Sequence, residues 1–236
     1  MNILAVETST AVCSVALLSE GTEVYHRSLT GQQVHIENLA TMLRQAVVKA
    51  DLSQLHIDGL AIGIGPGSFT GLRIGLATIK AFGLVKELPL IPVPTLDALA
   101  LQYIDSQSAP GKTSVLGVLF SHRNFVHTAR FDLASDEPTR GDYTYGTLED
   151  LTEIAVNTAW FGPASPKVEE WRQSQTTPVD FSVITPDARS IARLAEMRWS
   201  ERIWDYGTIE PFYNTIYQAK KWQRPTFDPS TDNSER

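Results

Sequence analysis

The 236-residue sequence contains one cysteine, Cys13. An intramolecular disulfide is therefore impossible, and so is a metal cluster built on several thiolates. Cys13 sits in the strand-like run CSVALL, where it reads as a small core hydrophobe. Long hydrophobic runs are missing too: nowhere do about 18 apolar residues follow one another, so no membrane span is expected. The opening MNILAVETST lacks a basic stretch before its apolar residues. It reads as a first strand and not as a leader, which fits a cytoplasmic protein. Basic charge is scarce, with 20 Lys and Arg against 27 Asp and Glu, a formal net charge of -7. That balance argues against a self-sufficient nucleic-acid binder, which needs a basic face to neutralise phosphates. It leaves room for a subunit of an assembly in which another chain holds the nucleic acid.

What remains is ample for a core, since 42% of the residues are hydrophobic. The length suits one large domain or two small ones. NILAV, CSVALL and TEVYHRS read as three strands joined by short polar turns. HIENLATMLRQAVVKA follows as an amphipathic helix. Ile36, Leu39, Ala40, Leu43, Ala46, Val47 and Ala50 take helical spacing as its core stripe. A second stripe of His35, Asn38, Met42 and Gln45 faces elsewhere, and is either solvated or a partner surface. DGLAIGI and LPLIPV read as strands, TGLRIGLATIKAFGLV and TLDALALQYI as helices, the latter with Thr95 as a candidate cap. The order β-β-β-α-β-α-β-α predicts a mixed α/β layer.

The polar DSQSAPGKTS, residues 105–114, reads as a hinge, giving an N-terminal α/β domain over 1–104 and a smaller, divergent α/β domain over 105–236. VLGVLF and FVHTARF form adjacent strands in the second half, and residues 132–146 read as polar turns. TLEDLTEIA suggests a short helix, and NTAWFG and DFSVIT suggest strands. Thr185 as cap and Pro186 in the first turn open the last helix. The tail from Asp205 is irregular, partly disordered at its polar end, and open to folding back on the first domain.

The segment with most to explain is GIGPGSFTGLRIG, residues 63–75, with five glycines and a proline. It has no lysine where a phosphate-binding P-loop needs one. A dinucleotide fingerprint fails because Thr70 stands where the third glycine belongs. A nucleophile elbow fails by one residue, since Ser68 follows Gly67 directly. The structural reading fits better: Gly65, Pro66 and Gly67 turn the chain off a strand, and Ser68 caps the next helix. Gly71 and Gly75 then bare one helix face to a close neighbour, with Arg73 pointing outward.

The stretch GIGPGSFTGLRIGLATIKAFGL closely resembles the signature of the TsaB (YeaZ) family. ILAVETSTAVCSVAL, HIENLATML, IPVPTLDALA and EPFY resemble it as well, more strongly over residues 1–100 than beyond. The resemblance implies the actin/sugar-kinase/Hsp70-like (ASKHA) fold, with two related mixed-sheet α/β domains. It also implies a non-catalytic subunit that supports TsaD in forming N6-threonylcarbamoyladenosine at position 37 of tRNAs reading ANN codons. TsaE would be a third subunit, tRNA would be met only through the complex, and a homodimer is the alternative pairing. On this reading His35, Asn38, Met42, Gln45, Gly71, Arg73, Gly75 and Thr78 lie at the partner interface. Readings from other classes are an ASKHA enzyme, kinase-like or peptidase-like, and an independent homodimer.

Departures from the resembled enzymes point away from catalysis and from any cofactor. The first hairpin turn of the superfamily carries an Asp serving nucleotide phosphates and their metal; here Glu7 stands there, followed by Thr8, Ser9 and Thr10 as remnants of a nucleotide loop. The DAR segment of the second domain is replaced by Ser121-His122-Arg123. TsaD-like chains bind a metal through paired histidines on the first helix, but His35 is followed four residues on by Leu39. His122 and His127, five apart on expected strands, should face opposite sides. Lys220, Lys221, Trp222 and Arg224 form a local basic cluster able to touch RNA or to dock on a partner.

Overall fold

The computed structural model describes residues 1–31, 33–106, 114–151 and 158–214. Most of the expected hinge, the end of the short helix after Leu148, and the basic cluster of Lys220, Lys221, Trp222 and Arg224 lie outside these residues.

Each half is built on one five-stranded sheet. In the first, β1 (Asn2–Glu7), β2 (Val12–Ser19) and β3 (Thr22–Thr30) form an antiparallel meander, and β4 (Gly59–Gly65) and β5 (Leu90–Pro94) continue it in parallel from β1. The strand order is β3-β2-β1-β4-β5. The second sheet repeats this plan. Antiparallel β6 (Ser114–Phe120), β7 (Phe125–Asp132) and β8 (Thr139–Thr147) come first, and parallel β9 (Ala159–Gly162) and β10 (Phe181–Val183) follow on the other side of β6. Two mixed α/β sheets of one topology are thus present, as the resemblance implies.

Burial follows from this layering. β1 is central and covered on both faces, so it is continuously apolar and does not alternate. Leu4 and Val6 meet α1 (Val34–Leu52) and α2 (Phe69–Lys86) on one side. Ile3 and Ala5 meet α5 (Ala188–Met197) on the other. Helix α3 (Thr95–Ser106) lies between the sheets, with Leu96, Leu99 and Tyr103 packed on Val115, Phe131 and Phe161. Helix α4 (Pro166–Ser174) covers the far face of the second sheet, where Trp171 stacks on Trp160 at 5.3 Å. Although α5 follows the second sheet in sequence, it belongs to the core of the first.

Three local expectations change. Residues 139–147 form β8 and not a run of turns; as the edge strand it is paired only with β7, so its polar sequence GDYTYG meets solvent. Helix α5 is capped by Asp187, whose carboxylate accepts from the Arg189 amide at 2.8 Å, and not by Thr185. The Thr95 hydroxyl is buried without a hydrogen-bond partner, so it does not cap α3.

The chain ends its described course as a strap. Ile203 bridges to Leu90, the Lys80 ammonium donates to the Ile209 carbonyl, and the Phe212 amide donates to the Ile64 carbonyl at 2.8 Å. Tyr213 stacks on Phe69, and its hydroxyl accepts from Arg73 Nε at 2.9 Å. Asn214 then donates to the Thr144 carbonyl on β8 of the second sheet at 3.4 Å. Among the described residues, no helix is long and apolar enough to cross a membrane.

Candidate functional site

The glycine motif leaves β4 through Gly65, whose φ of 107° belongs to glycine. Ser68 caps α2, accepting from the Gly71 amide at 3.2 Å. Gly71 and Gly75 face inward, and a side chain on either would overlap Thr8, the carbonyl oxygen at Gly71 and the hydroxyl at Gly75. The motif therefore brings α2 down onto the β1–β2 turn of its own chain. Gly71 and Gly75 are buried, so they are not surface residues available to a partner.

That turn is closed as tightly. Glu7 is completely buried; its Oε1 accepts from the Ser9 amide at 2.5 Å, and its Oε2 lies in the space that a side chain at Gly63 would fill. Burial pushes the Glu7 carboxyl above its ordinary range, overcoming the lowering effect of the Ser9 bonds, and nearby Asp187 adds to the rise. Glu7 is thus turned into the sheet, and only Ser9 and Thr10 of the candidate loop reach the adjoining cleft. Asp187 has the opposite character. Burial opposes its ionisation, but hydrogen bonds from His26 and Arg189 outweigh this and hold it below the usual carboxylate range. Burial, reinforced by Glu7, pushes the Cys13 thiol up to about 11, which makes it a poor nucleophile at neutral pH.

A cleft of about 1080 Å³ opens between the two sheets. On its first-sheet side stand Ser9, Thr10 and the start of α2; on its second-sheet side stand Ser121, His122, His127 and the start of α4. The two histidines do not oppose each other as strand alternation would require, because His122 lies in the turn between β6 and β7. His122 stacks on Phe125, Phe125 on Tyr145, and Tyr145 against His127. His127 is 2% exposed. Burial, then the charge of His122, lowers its pKa to about 4. Among the described residues, no group of three His, Cys, Asp or Glu could hold a metal ion.

The second candidate surface is the outer side of α1 and α2. Helix α1 is rotated from its expected phase. Met42 is fully buried in the core, whereas Ile36 is 67% exposed and Ala40 is exposed. His35 and Gln45 turn toward the β2–β3 pair as well, so the helix rests on the meander through this side. His35 Nε2 donates to the Val12 carbonyl at 2.9 Å, and Gln45 Oε1 accepts from Tyr25 and Arg27 at 3.0 Å each. Asn38 is half-buried and bonds back to the Val34 carbonyl at 3.2 Å. The stripe of His35, Asn38, Met42 and Gln45 is therefore the face toward the sheet. The outward face holds a groove of about 260 Å³ lined by Ala40, Leu43, Arg44, Val47, Thr78 and Phe82. Of the expected interface residues Thr78 lies in this groove, while exposed Arg73 is held over Phe69 at 3.9 Å and bonded to Tyr213.

Two features escaped the sequence. Asp97, 1% exposed, is clasped by Arg140 Nε at 2.8 Å, Arg198 Nη1 at 2.9 Å and the Tyr143 hydroxyl at 3.2 Å. Its partners lie 43 or more positions away, and no local pattern announces them. Lys167, beside the cleft, had no motif to mark it; only EPFY hinted at the Phe212–Tyr213 contacts.

Comparison with known proteins agrees with this geometry. A model of the family described as TsaD, tRNA N6-adenosine threonylcarbamoyltransferase, matches residues 29–130. The chain is 34% identical over 149 residues to the tRNA threonylcarbamoyladenosine biosynthesis protein TsaB of Escherichia coli, covering 63% of each chain. It is 32% identical over 136 residues to the TsaB protein of Haemophilus influenzae, covering 58% of this chain and 57% of that one. The matches thus span about three-fifths of these curated relatives. The solved structure of YeaZ from Pseudomonas aeruginosa superimposes with a TM-score of 0.73 at 26% identity, covering 90% of this chain and 99% of that one.

Proposed function

Because the chain belongs to the TsaB (YeaZ) family, we propose that it is a non-catalytic binding subunit in the formation of threonylcarbamoyladenosine in tRNA. It docks through the outer face of α1 and α2 on a TsaD-type transferase, which supplies the chemistry at position 37 of tRNAs reading ANN codons. TsaE joins as a third subunit, and the assembly works in the cytoplasm.

The observation that carries this reading is the α1–α2 groove. Its floor is apolar, and the same two helices also hold out Ile36, at 67% exposure and lining the neighbouring cleft, and Val85, at 81%. Large apolar side chains held out on neighbouring helices are costly in water and favourable in a helix–helix interface. The inward turn of Glu7 supports the non-catalytic part, since its carboxylate does not line the cleft in which a metal-bound nucleotide would need it.

Co-expression with TsaD from the same organism, followed by size-exclusion chromatography with light scattering, tests it. A one-to-one complex is expected, lost in the double variant Ala40→Glu, Thr78→Arg, whose circular dichroism remains that of the parent. Separate TsaD and homodimer peaks for the parent chain, or a complex that tolerates both substitutions, would overturn docking through this face.

A further inference from the structure

Docking through α1 and α2 leaves one sequence motif without a role, the basic run of Lys220, Lys221, Trp222 and Arg224. A feature of the second sheet suits it. β8 ends the strand order β10-β9-β6-β7-β8, so among the described residues no strand lies beyond it. It is nine residues long and contains neither Lys nor Pro, residues that commonly guard a free edge. Its one cation, Arg140, is engaged by Asp97. Hydrogen bonds at the end of β8 show which amides face outward. The Leu148 amide donates to the Asn124 carbonyl at 2.9 Å, on the β7 side, while the Thr147 amide donates to the Asp150 carboxylate at 2.7 Å. Alternation then turns the Tyr145 and Tyr143 amides away from β7, as it does that of Thr147. Along this strand and just past its end, Asp142, Glu149 and Asp150 are all exposed.

The described chain arrives beside this strand. Phe212 stands edge-on to Tyr143 at 4.8 Å, and Asn214 then reaches the Thr144 carbonyl at 3.4 Å, so the strap advances in the same direction as β8. The strap has already met one sheet edge in this way. Ile203 and Leu90 exchange both backbone bonds at 2.9 Å each, on the outer side of β5. Beyond Asn214 the sequence reads TIYQAKKWQRPTF, with three cations and no Asp or Glu before Asp228. Ile216 and Tyr217 are residue types that favour strand pairing. Lys220 is six residues past Asn214, as Asp150 is six past Thr144. A chain advancing alongside β8 therefore brings the lysines level with Glu149 and Asp150.

We propose that the free edge of β8 is the docking surface for the chain's own segment from Thr215 to Arg224. The backbone of that segment accepts from the Tyr143 and Tyr145 amides, and Lys220 and Lys221 meet Glu149 and Asp150. The basic run then lies against the second sheet and is not a nucleic-acid contact, in keeping with a net charge of -7. Filled in this way, the edge is closed to other extended chains.

Amide hydrogen exchange of the full chain, followed residue by residue by NMR, tests this. The Tyr143 and Tyr145 amides are expected to exchange about tenfold more slowly in the parent than in the variant Ile216→Pro, Tyr217→Pro, in which the segment cannot pair regularly. Lys220→Glu, Lys221→Glu should speed them about threefold, the scale of exposed ion pairs. The Leu148 amide, bonded to Asn124, should not change and reports that the sheet is intact. Unprotected Tyr143 and Tyr145 amides in the parent, or protection that survives either variant, would overturn the proposal. So would protection that rises with protein concentration, which assigns the edge to a second copy, or protection that appears only with tRNA, which assigns the basic run to nucleic acid.

Discussion

The carbonyl oxygen of Thr8 occupies the place that a side chain on Gly71 would take. Alanine is the better helix former by about 1 kcal/mol, so a surface view of α2 predicts that Gly71→Ala stabilises the protein. The contact with Thr8 predicts the opposite sign. The obstacle is backbone, which cannot rotate aside, and forcing it away should cost about 1–3 kcal/mol. Urea denaturation of the variant decides between the two, and a raised midpoint would mean that α2 does not rest on this turn.

Glu7 should make stability fall with rising pH. Its folded pKa is raised by burial, so above the ordinary glutamate value the native state holds a proton that the unfolded chain has released. Its contribution is therefore fully present below that value and is lost as pH climbs through the folded pKa. Glu7→Gln keeps an acceptor for the Ser9 amide but cannot ionise. The variant is expected to gain on the parent steadily as pH rises from 4.5, the reference value. Denaturation midpoints across pH 4–8 would show it; parallel curves would exclude an ionisable Glu7 as the cause.

His127 works in the other direction. Its pKa, lowered from 6.5 to about 4 by burial and by His122, means that the unfolded chain takes up a proton first as pH falls. Stability should decline between pH 6.5 and 4, by about 3 kcal/mol over the full window. The aromatic replacement His127→Phe, packed against Tyr145, should flatten that part of the profile. An equally steep decline in the variant would assign the acid sensitivity elsewhere.

Asp97→Asn removes the charge that Arg140 and Arg198 share. Arg198 is itself mostly buried, with 14% of its side chain exposed, and among the described residues keeps Glu137 as its remaining carboxylate. Loss of one member of such a buried group should cost about 3–5 kcal/mol. Thermal unfolding measures it, and a change below about 1 kcal/mol would place the cluster among ordinary surface pairs.

The first sheet was largely legible because its strands are short, apolar and punctuated by turns, and because Ser68 and the glycines mark the start of α2 locally. The phase of α1 was not legible. Its apolar residues cover more than half the helix, so spacing assigned Ile36 to the core stripe and Met42 to the other face, and only packing against the first sheet reversed the two. β8 was hidden because an edge strand needs few apolar residues. The cleft was read from the absence of acidic ligands alone. Lys167, Ser165 and His127 come together only once β6, β7 and α4 are folded, and no sequence period connects them. The return of α5 to the first sheet was equally unreadable, because an amphipathic helix does not state which sheet it covers.

The strap from Ile203 to Asn214 works like the string of a drawn bow. It is tied at β5 and α2 on the first sheet and at β8 on the second, and it passes the mouth of the cleft at Tyr213. Any widening of the cleft must lengthen this string or loosen one of its ties. Because Arg73 and Lys80 hold it from α2, the opening of the cleft and the setting of that helix share one tether.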